Sequence, residues 1–153
     1  MVKAVHLILH YPERRRVVNS KKPILLVEDD KVDVMTVKRA LEDINVTNKL
    51  DVAGNGEEAL KHLKNTKNEI PCLILLDLNM PLMNGIELLE IIKKDADLKK
   101  IPVIVLTTSK EEQDKIDSYN LGIAGYMIKP VEYLDFVQVI KTIDMYWTLS
   151  ELP

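Results

Sequence analysis

The chain has 153 residues, 46% hydrophobic and 29% charged, with a net charge of −3. That suffices for one domain with a sizeable core, and the mild acidity offers no global attraction to nucleic acid, so no direct DNA binding is expected. The single cysteine, Cys72, excludes an internal disulfide and a multi-cysteine zinc site. No apolar run approaches the roughly 18 residues that span a bilayer, so the expected location is the cytoplasm, with no membrane contact.

Residues 1–20 read as a flexible or loosely docked extension, with the main domain over 21–147 and a tail over 148–153. The stretch Val5-His6-Leu7-Ile8-Leu9-His10-Tyr11 is too short for a signal peptide and is followed at once by Arg14-Arg15-Arg16. His6 and His10 have Glu13 as the one carboxylate close in sequence and no cysteine near them, so no metal site is expected there.

From Pro23 onward, strand and helix patterns alternate five times. Ile24-Leu25-Leu26-Val27 is strand one, ending in Glu28-Asp29-Asp30. Asp30 is placed to cap helix one, whose Val34, Val37, Leu41 and Ile44 recur at helical spacing. Lys49 to Ala53 alternates like a half-buried strand nearer a sheet edge. Asn55-Gly56-Glu57-Glu58 opens helix two, with Glu58 placed for a capping box. Leu73-Ile74-Leu75-Leu76 is an apolar run ended by Asp77, Asn79 and Pro81, the pattern of a strand buried on both faces. Cys72, beside it, reads as a small core residue rather than a reactive thiol. Helix three follows Met83-Asn84-Gly85. Strand four, Ile101 to Leu106, ends in Thr107-Thr108, and Ser109-Lys110-Glu111-Glu112 reads as a capping box for helix four. Strand five, Ile123 to Ile128, ends in Lys129-Pro130. Helix five runs from about Glu132 to Trp147, with Phe136, Ile140, Ile143 and Trp147 on one stripe.

Such alternation predicts βαβ units and a doubly wound parallel sheet, α/β in class and flavodoxin-like, of order 2-1-3-4-5. All carboxyl ends of a parallel sheet lie on one edge, so Glu28, Asp29, Asp77, Thr107 and Lys129 converge there. Each alone has a bland reading: a turn former, an N-cap, a solvated loop lysine. Acid, acid, hydroxyl and amine at four strand ends form a far more specific pattern. Three carboxylates in one cleft repel unless a cation sits between them, and oxygen ligands suit Mg²⁺, for which Mn²⁺ can substitute. A carboxylate can attack phosphorus and become an aspartyl-phosphate. Asp77 is assigned as the nucleophile, Asp29 as a metal ligand, Glu28 as a ligand through water, and the Asn79 backbone carbonyl as a further ligand. Lys129 and the Thr107 hydroxyl are assigned to phosphoryl oxygens.

These residues resemble the receiver domain of two-component response regulators. The pieces that carry the resemblance are Leu26-Val27-Glu28-Asp29-Asp30, Leu75 to Pro81 with Asn84-Gly85, Val105-Leu106-Thr107-Thr108, and Gly125-Tyr126-Met127-Ile128-Lys129-Pro130. The resemblance implies phosphotransfer from a sensor histidine kinase to Asp77 with Mg²⁺, and a switch. Thr107 turns toward the phosphoryl group, Tyr126 swings inward behind it, and the surface of helix four, strand five and helix five changes partners. Asp97 to Ser109, and the aromatic end of helix five at Tyr146-Trp147, look like single-domain regulators that serve phytochrome-type kinases. Thr108 stands where many receivers carry a smaller residue, which bears on access to the site.

The resemblance implies a phosphoacceptor signalling domain rather than an enzyme, with output passed to a downstream protein target. Two competing readings stand beside it. Phosphatases of the haloacid-dehalogenase type use a strand-end aspartate with a second aspartate two residues on, where this chain has Asn79. A pseudo-receiver would have lost an acid or the lysine, yet all are present. The apolar residues Tyr146, Leu149 and Leu152 extend beyond the last stripe, which favours a symmetric homodimer through the helix four, strand five and helix five face.

Overall fold

The computed structural model describes residues 22–149, with side chains described as far as Tyr146. The extension expected over residues 1–20, and the placements expected for the Trp147, Leu149 and Leu152 side chains, lie outside the described residues. The elements are β1 (Ile24–Val27), α1 (Lys31–Asp43), β2 (Leu50–Ala53), α2 (Gly56–Lys64), β3 (Leu73–Leu76), α3 (Gly85–Lys94), a 3-10 turn (Leu98–Lys100), β4 (Val103–Thr107), α4 (Glu112–Asn120), β5 (Gly125–Ile128) and α5 (Tyr133–Leu149). All strand pairs are parallel, in the order β2-β1-β3-β4-β5. The expected topology is therefore the observed one.

β1, β3 and β4 are buried at every position, as expected of strands covered on both faces. Alternate residues feed two cores. Leu25, Val27, Ile74, Leu76, Val103 and Val105 pack under α2 and α3 with Ala59, Leu88, Leu89 and Ile92. Ile24, Leu26, Leu73, Leu75, Ile104 and Leu106 pack under α1 and α5 with Val37, Leu41, Phe136, Ile140 and Ile143. β2, at the edge, is only partly buried.

Caps fix where the helices start. Asp30 accepts hydrogen bonds from the backbone N–H groups of Val32 and Asp33, at 2.8 and 3.2 Å. Asn84 and Glu87 form a reciprocal capping box at α3. Two expected caps differ. Asn55 caps α2, but the Glu58 carboxylate accepts from the Gly54 N–H, one residue upstream of the cap. Ser109 does not cap α4: the helix starts at Glu112 behind Glu111, and the Ser109 hydroxyl donates to Asp114 at 2.6 Å instead. The intervening Lys110 and Glu111 are exposed loop residues, so no apolar contact draws the helix back to Ser109.

Cys72 is half-buried against the second core, its thiol 3.4 Å from the Pro23 carbonyl, and burial pushes it up to about 12. It remains a thiol at neutral pH, as expected for a packing residue.

Gly85 brings α3 against the end of β3. A Cβ there would lie 2.6 Å from the Asp77 carbonyl oxygen and 2.8 Å from Leu78 Cα, both backbone atoms. Gly85→Ala is therefore expected to destabilise the fold by about 2 kcal/mol, through overpacking that only backbone movement relieves. Urea unfolding measures this, and a loss below about 0.5 kcal/mol, the level of an ordinary surface substitution, refutes the close approach.

Candidate functional site

The strand register carries the site. Val27 pairs with Leu76, so Glu28 and Asp77 leave neighbouring strands at the same level. The Asp77 N–H donates to the Val27 carbonyl at 3.0 Å, which extends the ladder past the last paired residues. On the far side, the Lys129 N–H donates to the Thr107 carbonyl at 2.8 Å and locks the end of β5 to that of β4.

The structure brings the expected residues together. One carboxylate oxygen from each of Glu28, Asp29 and Asp77 lies within 4.8 Å of the others, with Glu28 and Asp77 buried and Asp29 exposed. Three oxygens so spaced, two of them withdrawn from water, fit a hard divalent cation. Asn79 is exposed beside them, its N–H 3.5 Å from Asp77 Oδ1. Thr107 is fully buried, and its hydroxyl oxygen accepts from the Ser109 N–H at 3.3 Å. Tyr126 packs its ring against the first core and donates its hydroxyl to the Ser109 carbonyl at 2.9 Å. Ser109 therefore links Thr107, Tyr126 and, through Asp114, helix α4. Thr108 is exposed.

Lys129 reaches across the edge into the acids. Its ammonium donates to Glu28 Oε2 and to Asp33 Oδ2, the latter at 2.8 Å, and stands 3.5 Å from Asp77 Oδ2. Asp33 is the participant that the sequence reading missed. It lies in the first turn of α1, three residues past the Asp30 cap, and its signal was there: an acid one helical turn beyond Asp29 and Asp30, on a helix that starts at the sheet edge.

The electrostatics follow from burial. Glu28 is pushed up to about 7, with desolvation outweighing the hydrogen bonds from Lys129 and the Asp30 N–H, while the Asp77 charge adds to the rise. For Lys129, burial pulls the ammonium down, but hydrogen bonds to Asp33 and Glu28 and the charges of Asp77 and Glu28 outweigh it and hold the group above the ordinary lysine value. The lysine is thus a permanent cation in a pocket with more negative charge than it can neutralise.

A five-stranded parallel sheet of this order, with acids, a buried hydroxyl and a lysine at its carboxyl edge, defines a flavodoxin-like domain of the receiver class. The chain belongs to the response regulator receiver family, whose "Response regulator receiver domain" matches residues 24–141. It is 39% identical over 133 residues to the response regulator Rcp1 of Synechocystis sp., spanning 84% of this chain and 90% of that protein. The crystal structure of the phosphorylated cyanobacterial phytochrome response regulator RcpA superposes with a TM-score of 0.81 at 38% identity, over 87% of this chain and 99% of that one. The Mn²⁺-bound form of Rcp1 gives 0.80 at 39% identity, over 86% and 99%. Among the described residues, no helix is long and apolar enough to cross a membrane.

One pH dependence follows. In metal-free buffer the folded protein keeps a proton on Glu28 from about pH 4.5 to about pH 7, where the unfolded chain has lost it. The folded state binds more protons in that window, so stability falls as pH rises through it, opposite to the usual behaviour of a paired carboxylate. Urea titrations in chelator are expected to show a loss on the order of 2 kcal/mol across the window, abolished in Glu28→Gln. Wild-type stability that stays flat or rises there refutes the assignment.

Proposed function

We propose that this receiver accepts a phosphoryl group onto Asp77 from the phosphohistidine of a sensor histidine kinase. The observation that carries the reading is the juxtaposition of Glu28, Asp29 and Asp77 with the Lys129 ammonium in one half-desolvated pocket. An Asp77 carboxylate oxygen attacks the phosphorus, a P–O bond forms, and the P–N bond to the donor imidazole breaks as that nitrogen takes the leaving electron pair. Lys129 and the Thr107 hydroxyl then meet the charge on the phosphoryl oxygens. Asp29, Asp77, the Asn79 carbonyl and, through water, Glu28 are the residues that would hold Mg²⁺, or Mn²⁺ in its place. When bound, the ion screens the carboxylates and neutralises incoming phosphate charge.

The similarity to RcpA and Rcp1 supports a phytochrome-type kinase as the donor. Output passes to a downstream protein through the α4, β5 and α5 face. This face is loosely held: α4 buries only Ser118 among its residues, every β5 residue is half-buried, and Ile116, Tyr119 and Tyr146 are 45, 52 and 51% exposed. Rotation of Thr107 to donate its hydroxyl to a phosphoryl oxygen draws the hydroxyl oxygen away from the Ser109 N–H, which loosens the Ser109 segment, frees Tyr126 to move inward and shifts α4. The same face suits a symmetric homodimer.

Asp77→Asn is expected to abolish the gain of about 80 Da that acetyl phosphate and Mg²⁺ confer by phosphorylating the nucleophile, with the fold retained. A full mass gain in that variant overturns the assignment. Asp29→Ala is expected to remove the rise in melting temperature that Mg²⁺ gives the wild type by mass action; an undiminished rise places the ion elsewhere.

Sedimentation of the full chain at about 100 μM, well above the roughly micromolar Kd of a modest interface, is expected to show a dimer strengthened by the phosphoryl mimic beryllofluoride. A monomer with and without the mimic refutes the interface.

A further inference from the structure

Lys129 has three acidic neighbours, and they are not equivalent. Glu28 and Asp77 belong to the cluster that suits a divalent cation, so a bound metal draws on both. Asp33 stands outside that cluster. Its Oδ2 accepts from the Lys129 ammonium at 2.8 Å, while the ammonium is 3.5 Å from Asp77. Asp33 is also held in place from its own backbone. It lies in the first turn of α1, and its N–H donates to the Asp30 cap at 3.2 Å. The pair ties the sheet edge at β5 to the start of α1, and it involves a lysine side chain only 6% exposed against a carboxylate 32% exposed.

We propose that Asp33 is a positioning residue that tethers the Lys129 ammonium toward α1 in the unphosphorylated state and competes with the phosphoryl oxygens on Asp77 for it. A metal would not relieve this competition, because it would draw on Asp29, Asp77 and, through water, Glu28, and leave Asp33 on the lysine. Phosphorylation does relieve it: the lysine exchanges one carboxylate partner for a phosphoryl oxygen, whose greater charge wins the exchange. The tether therefore sets how much of the lysine's attraction is available to the phosphoryl group. It also links the occupancy of Asp77 to the first turn of α1, on the side of the site opposite Thr107. This inference rests on the reading of Asp77 as the phosphoryl acceptor.

The test is beryllofluoride binding at saturating Mg²⁺, measured by calorimetry on the full chain. Asp33→Asn keeps the shape and removes the charge. It is expected to tighten binding about threefold, the scale of a partly exposed ion pair, and Asp33→Glu, which restores the charge, is expected to return affinity toward the wild-type value. Thermal unfolding of the same proteins without the mimic separates this from a structural role: a cap or helix effect lowers the melting temperature without tightening the mimic. If wild type and Asp33→Asn bind alike, or if Asp33→Asn binds more weakly, the tether is refuted. If the wild type does not bind beryllofluoride at all, the failure lies with the Asp77 reading, and the tether falls with it.

Discussion

A lysine ammonium and two carboxylates withdrawn from water at one sheet edge form the interaction on which the rest of this domain depends. Taking such groups out of water costs several kcal/mol each unless partners are close and well directed. Here the direction comes from backbone. The Asp77 N–H bonds to Val27 and the Lys129 N–H to Thr107, so the strand ends that carry the charges are fixed by ladder hydrogen bonds rather than by mobile loops. Gly85 lets α3 close against the Asp77 backbone from below. The charge balance remains negative, and that leaves the pocket dependent on what enters it: a divalent cation would relieve the acids, and an anion more highly charged than a carboxylate would give the lysine a better partner.

The contrast with the α4 side is physical. Glu28, Asp77 and Thr107 stand at the ends of strands buried at every position, whereas α4 and β5, the strand that carries Lys129, contribute little to either core. Ser109 stands where the two regimes meet. Its N–H faces Thr107, its carbonyl accepts from Tyr126, and its hydroxyl reaches Asp114. A residue so placed can pass a change at Thr107 to a helix that has few apolar contacts to resist it.

Most of the fold was legible because its signals were local and redundant: apolar runs of strand length, punctuated by Asp77, Thr107 and Lys129, with helical spacing between them. The convergence of those residues followed from one topological rule, that parallel strands end on one edge. What escaped reading was of another kind. Ser109 fits a capping pattern, but Lys110 and Glu111 carry no apolar side chain that would begin the helix there, and the hydroxyl finds Asp114 instead. Glu58 fits a capping box, but its carboxylate reaches one residue too far. Asp33 was missed because its partner is 96 residues away, and only the reach of the Lys129 side chain from the end of β5 to the first turn of α1 makes them neighbours.

The strand order also bears on how the chain acquires its charges during synthesis. A chain made from its N-terminus gains β1, β2 and β3 before β4 and β5, and in the finished fold these three are the centre and one edge of the sheet. Glu28, Asp29 and Asp77 are thus made before Lys129. Any pairing of these strands before β5 is made would bring three acids together without the Lys129 ammonium among them. A divalent cation, for which the three carboxylate oxygens are suitably spaced, would be the natural stand-in over that interval. A divalent ion held there would serve as a counter-charge for the growing sheet before Lys129 takes up that place, so depletion of divalent ions would slow production of the folded protein.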